Sequence, residues 1–204
     1  MYVLTAGETV RLILVAGFLG SGKTSLILEL ARRLVAASCQ VAVIENEIGD
    51  VGIDGRYIAD HGILVRELFG GCVCCSLSVS LVDTLKQLQR APAPDYVLLE
   101  PTGIAQPSDL VATVRRYATW VDWIRVITLL DAERYEMLSE VLGPLLGGQI
   151  ADADVVAVNK IDTVEPACVE RVVADVRSLR PCVPVVRIST QQQTNLEALM
   201  QVVT

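Results

Sequence analysis

The sequence predicts an α/β fold in which a mostly parallel central sheet is flanked by helices, and three observations predict it. Short apolar runs alternate with amphipathic stretches from one end of the chain to the other, the mark of βα units. The segments richest in chemistry each follow an apolar run, which puts them at the carboxyl ends of strands, where open α/β sheets bind ligands. A length of 204 residues suits one such domain with a large core and is short for two.

The elements follow in order. The first apolar run predicts a strand at 11–16, which passes through a glycine-rich stretch into a helix at 23–37. Apolar runs at 40–45 and 63–66 are strands, and the amphipathic stretch at 77–90 is a helix. Ala91-Pro92-Ala93-Pro94 is a short rigid turn into a strand at 95–100, followed by a helix at 107–117. The remaining strands fall at 124–130, 154–158 and 184–188, each followed by a helix, at 133–141, 165–179 and 194–203. There is no internal repeat or low-complexity tail, so a single domain over residues 1–204 is expected.

Bulk properties exclude several function classes. The net charge of −7, with basic residues scattered, argues against nucleic acid as the main partner. The longest stretch without a charge, Leu68 to Val82, is interrupted by glycines and cysteines and falls short of the roughly 20 apolar residues of a span, so no membrane partner is expected. The amino terminus lacks a basic region and its apolar run leads to no cleavage site, which argues against a secretory signal. Of the six cysteines, Cys72, Cys74 and Cys75 cluster while Cys39, Cys168 and Cys182 lie apart, a usage that fits a cytoplasmic protein better than a disulfide scaffold.

Gly17 to Thr24 reads GFLGSGKT and opens a helix directly after Leu12 to Ala16, the P-loop pattern in its strand-loop-helix setting. This narrows the fold class to the three-layer P-loop NTPase fold. Glycines 17, 20 and 22 let the backbone wrap closely around phosphate oxygens. The N–H groups from Gly20, Ser21 and Gly22 onward, through Lys23, Thr24 and Ser25 at the helix start, then form a nest for an anion. Lys23 can reach the β and γ phosphates as a catalytic cation, and the Thr24 hydroxyl can hold Mg2+.

After Val155 to Val158 comes Asn159-Lys160-Ile161-Asp162, the pattern that reads guanine. The Asp162 carboxylate can accept from the ring N–H and the exocyclic amine of guanine, whereas adenine offers an acceptor where guanine has its ring donor. The Lys160 stem can lie over the base, and Asn159 can tie this segment to the phosphate loop. Arg187 to Thr190, with Ser189 as its centre, can supply a backbone N–H to the guanine carbonyl. Glu100, ending the run Val97 to Leu99, can hold a magnesium-bound water or orient the attacking water, and Gly103 can donate its N–H to the γ-phosphate.

Three thiols near a helix amino terminus, Cys72, Cys74 and Cys75, should have lowered pKa values and can ligate a soft or borderline divalent ion. Carboxylates of the segment Glu45 to Asp50, chiefly Glu45 and Asp50, can complete such a site. Cys72 and Cys75 also read as a Cys-x-x-Cys redox pair. The single histidine, His61, sits between Asp60 and Gly62 and reads as a loop residue.

Taken in order, GFLGSGKT, ENEIGDVGID, GGCVCC, EPTG and NKID resemble the CobW-type metallochaperone GTPases, relatives of the hydrogenase and urease nickel-insertion GTPases. The resemblance implies slow hydrolysis of GTP to GDP with Mg2+, coupled to binding and delivery of zinc, cobalt or nickel. It implies Lys23 and Thr24 on phosphate and magnesium, Cys72, Cys74 and Cys75 as metal ligands, and Asn159, Lys160 and Asp162 on guanine. Glu45 to Asp50 and Glu100 to Gly103 would be the two switches. Many such proteins carry a further carboxyl-terminal domain and a histidine-rich stretch, neither of which appears before Thr204. The expected partners are GTP, a client metalloprotein or corrinoid protein, and a second copy in a nucleotide-dependent dimer. Two alternatives stand beside this reading: a GTPase that loads or reactivates a corrinoid enzyme, and a nucleotide-binding metal or redox sensor.

Overall fold

The computed structural model describes residues 10–45, 63–67, 76–90 and 93–204. Among these residues the strands are β1 (Val10–Ala16), β2 (Val41–Glu45), β3 (Ile63–Glu67), β4 (Tyr96–Glu100), β5 (Val121–Asp131), β6 (Val155–Asn159) and β7 (Val185–Arg187). The helices are α1 (Lys23–Ala36), α2 (Ser76–Arg90), α3 (Pro107–Tyr117), α4 (Tyr135–Asp152), α5 (Pro166–Leu179) and α6 (Leu196–Val203). The strands form one sheet in the order β3-β2-β4-β1-β5-β6-β7, and every pairing between them is parallel. The chain leaves β1 towards one edge and later crosses to the other, so the carboxyl end of β1 is a crevice where the order reverses.

A parallel sheet covered on both faces needs apolar side chains at every strand position, which is why β1, β4 and β6 read as continuous apolar runs. Ile13, Val15, Leu98 and Ala157 pack with Leu26, Ile27 and Leu30 of α1 and Leu199 and Val203 of α6 on one face. Leu12, Leu14, Val97 and Leu99 pack with Leu81, Leu85 and Leu88 of α2 and Leu110 and Val114 of α3 on the other. A third cluster on that second face joins Val156 and Val158 to Leu146 and Ile150 of α4 and Val169, Val172 and Val176 of α5. This packing anchors the strand ends rigidly, and truncating one buried leucine such as Leu98 to alanine should cost about 2–5 kcal/mol.

Two elements depart from the sequence expectation. β5 begins at Val121 because its pairing with β1 continues past a register shift between Val10 and Arg11. The polar residues Asp122 and Arg125 interrupt the apolar run there and hide the strand. α4 continues to Asp152 where a helix ending near 141 was expected, since Gly143 and Pro144 read as a stop. The helix instead kinks at Leu142 (φ −125°, ψ 25°), which accommodates the proline that lacks an N–H, and its second half buries Leu146, Gln149 and Ile150. Among the described residues no helix is long and apolar enough to cross a membrane.

Candidate functional site

β1 delivers the phosphate-loop sequence to the crevice. Gly22 caps α1 in the left-handed region (φ 98°, ψ 24°), and a β-carbon there would lie 2.5 Å from Asn159 Nδ2, so only glycine fits. No side chain caps α1, which leaves its first N–H groups for an anion. The ammonium of Lys23, only 3% exposed, lies 3.9 Å from Glu100 Oε1 and 3.5 Å from the Phe18 carbonyl. Thr24 Oγ1 donates to the same Glu100 oxygen at 3.0 Å. A cation and a hydroxyl from the loop therefore converge on the carboxylate that ends β4.

The loop after β4 packs against the phosphate loop. A β-carbon on Gly103 would lie 2.6 Å from the Leu19 nitrogen, so glycine is required by close approach alone. The buried Gln149 of α4 holds this loop from the other side, donating to the carbonyls of Gly103 (3.1 Å) and Ala105 (3.0 Å). The backbone register sets Glu45 beside Glu100 and beside Glu67, so three acidic residues occupy one level of the sheet edge.

β6 delivers Asn159, whose buried amide donates to the Ser21 carbonyl at 2.8 Å and to Thr190 Oγ1 at 3.3 Å, and accepts from the Thr190 N–H at 3.0 Å. One side chain thus ties the phosphate loop, β6 and the segment after β7. Lys160 follows with a left-handed backbone (φ 62°), and its ammonium donates to Asp131 Oδ2 at 2.8 Å. Asp162 lines the cleft without a hydrogen bond to any described residue, an acceptor left for a ligand.

These pieces enclose a cleft of about 620 Å³, lined by Gly20, Gly22, Lys23, Thr24, Ser25, Glu100, Asn159, Lys160, Asp162 and Ser189, and also by Leu19, Thr163, Thr190 and Gln191. Ser21 is buried under the loop and Gly103 is packed against the backbone of Leu19, so neither lines the cleft itself. The Ser189 N–H is committed to the Thr194 carbonyl at 3.3 Å and that of Thr190 to Asn159, whereas the N–H of Gln191, which also lines the cleft, has no partner among the described residues. Glu45 is buried at the end of β2. Cys72, Cys74, Cys75, Asp50 and His61 lie outside the described residues, and among the described residues no group of three or more His, Cys, Asp or Glu gathers as metal ligands.

Sequence reasoning missed Asp131 and Arg134. Asp131, fully buried at the end of β5, takes Nζ of Lys160 and Nε of Arg134 (2.7 Å) on Oδ2, and the N–H of Glu133 (3.0 Å) on Oδ1. Burial pushes its carboxyl up, but the bonds from Lys160 and Arg134 outweigh this and hold it below the ordinary value. The signal was available: Asp131 ends an apolar run at the ligand-bearing edge just as Glu100 does.

The family model described as "CobW/HypB/UreG, nucleotide-binding domain" matches residues 11–187. The zinc chaperone YeiR of Escherichia coli is 37% identical over 158 residues, covering 76% of this chain and 48% of its own length. The zinc chaperone CobW of a Sinorhizobium species is 28% identical over 194 residues, covering 80% and 54% respectively. The chain spans about half the length of these curated relatives. Among solved structures, the hydrogenase maturation factor HypB of Archaeoglobus fulgidus superposes with a TM-score of 0.72 at 18% identity, covering 95% of this chain and 88% of its own. That likeness supports the fold.

Proposed function

Because this chain belongs to the CobW/HypB/UreG nucleotide-binding family, we propose that it binds and slowly hydrolyses GTP and couples the nucleotide state to a divalent transition metal held at Cys72, Cys74 and Cys75. The observation that carries the nucleotide half is one cleft bordered by the phosphate loop, the Thr24–Glu100 pair and the Asn159 to Asp162 turn. The loop N–H groups and Lys23 would bind the phosphates, and Asp162 the guanine edge. Thr24 Oγ1 and Glu100 Oε1 are hard oxygen donors 3.0 Å apart, a set that fits Mg2+, with Glu100 acting through a bound water. Mg2+ would neutralise charge on the phosphate oxygens as the terminal group leaves. Lys23, buried and fixed beside Glu100, adds a second positive charge at the same place.

The metal half is supported by the names of the relatives, which are zinc chaperones. Zinc, cobalt and nickel are the ions in question, with Glu45 and Asp50 as candidate supplementary ligands. Triphosphate would order Glu45 to Asp50 and Glu100 to Gly103 around Mg2+, and hydrolysis would release that constraint and the ion to a client metalloprotein in the cytoplasm. A tenfold difference in metal affinity between the two states needs only about 1.4 kcal/mol of coupling. The test is zinc affinity of the reduced protein with a non-hydrolysable GTP analogue and with GDP, in wild type and Cys74→Ser. Affinity that depends on both cysteine and nucleotide supports the proposal, and equal affinities in the two nucleotide states refute the coupling.

A further inference from the structure

Arg134, at the start of α4, bridges Asp131 and the phosphate loop. Its Nη2 donates to the Leu19 carbonyl at 2.7 Å, and its Nε donates to Asp131 Oδ2 at 2.7 Å. The place a β-carbon would take on Gly20 lies 2.8 Å from Nη2 and 3.2 Å from Nη1. The guanidinium therefore lies across the Leu19–Gly20 peptide, in the middle of the phosphate loop.

A peptide unit is planar and trans, so the carbonyl of Leu19 and the N–H of Gly20 point in opposite directions. Fixing that carbonyl on a cation fixes the N–H on the opposite side, and a charged partner on the oxygen polarises the unit so that the N–H becomes a stronger donor. Among the described residues the Gly20 N–H donates to nothing, while Gly20 itself lines the cleft. Arg134 is itself fixed by Asp131, a carboxylate with no exposed side-chain surface, whose same oxygen holds Lys160 of the guanine-reading turn. The Arg134 side chain keeps 37% of its surface exposed, so it is a strut on the loop and not a core residue.

We infer that Arg134 is a positioning residue that aims the Gly20 N–H at nucleotide phosphate, and that Asp131 is the joint linking this strut to the guanine-reading turn. The inference rests on the nucleotide reading above. It separates two parts of the ligand: Arg134 serves the phosphates, whereas Asp131 serves phosphates and base together.

The test is binding of GDP with Mg2+ by calorimetry and of guanosine by ligand-observed NMR, for wild type, Arg134→Ala, Arg134→Lys and Asp131→Asn, with thermal melts as a folding control. Arg134→Ala should weaken GDP by about tenfold or more, the scale of one lost charge-assisted bond, and leave guanosine within about twofold. Lysine keeps the charge but lacks the fixed fork by which Nε and Nη2 serve two acceptors at once, so Arg134→Lys should fall between alanine and wild type. Asp131→Asn should weaken both ligands. GDP affinity unchanged in Arg134→Ala, or GDP and guanosine weakened equally, overturns the inference. A wild type that binds neither GDP nor GTP overturns the nucleotide reading itself, and the inference with it.

Discussion

Replacing Asn159 with alanine should both destabilise the fold and disable the cleft. The side chain is 1% exposed and makes a 2.8 Å bond to the Ser21 carbonyl and a 3.0 Å bond from the Thr190 N–H. Each of the two bonds contributes about 1 kcal/mol net, and a buried group left without a partner costs about 1–3 kcal/mol more, so the loss should be about 3–5 kcal/mol. Asn159→Asp keeps shape and removes only the donor. It would set a carboxylate oxygen against the Ser21 carbonyl, so it should be at least as destabilising as alanine at neutral pH. Urea denaturation reads the stability, and GDP binding reads the cleft. A loss below about 1 kcal/mol for alanine, or an aspartate variant close to wild type, would refute the idea that this amide holds the phosphate loop to β6.

Other consequences are as specific. Gly103→Ala forces a carbon into a 2.6 Å approach to the Leu19 nitrogen, and should cost about 1–3 kcal/mol with a loss of hydrolysis larger than any loss of GDP affinity, readable by paired denaturation and turnover assays. Glu100→Gln removes the charge that Lys23 and Thr24 converge on, so hydrolysis should fall by about tenfold or more and the Mg2+ concentration needed for half-maximal rate should rise. Asp131 is held below its ordinary value in the folded state, so the unfolded chain takes up the proton first. Its contribution is full at neutral pH and is lost as pH falls below about 4 towards the folded value, a slope that Asp131→Asn should remove from urea midpoints measured between neutral and acid pH.

Much of this site is legible in the sequence because its parts are local. GFLGSGKT and NKID are short, fixed spacings whose chemistry follows from residue type, and both follow apolar runs that become β1 and β6. Glu100 was visible for the same reason. What the sequence hides is long-range. The Arg134 contact with Leu19 spans 115 positions, and the Gln149 contact with Gly103 spans 46. Neither arginine nor glutamine carries a spacing signal, and α4 itself was obscured by Gly143 and Pro144. The Ser189 assignment shows a subtler gap: the segment borders the cleft, but the small antiparallel bridge Ser189 to Thr194 occupies the Ser189 N–H, a pairing no local spacing signals.

Nucleotide selectivity at Asp162, which lines the cleft with no described partner, tests guanine recognition most directly. Affinities for GDP, ADP and xanthosine diphosphate should be compared for wild type and Asp162→Asn. Guanine offers two donors to the carboxylate, whereas xanthine replaces the exocyclic amine with a carbonyl that an asparagine amide can serve. Wild type should prefer GDP over ADP by about a hundredfold or more, and Asp162→Asn should lose GDP and gain xanthosine diphosphate. Equal binding of GDP and ADP by wild type, or an Asp162→Asn variant with unchanged preference, would contradict guanine recognition at Asp162.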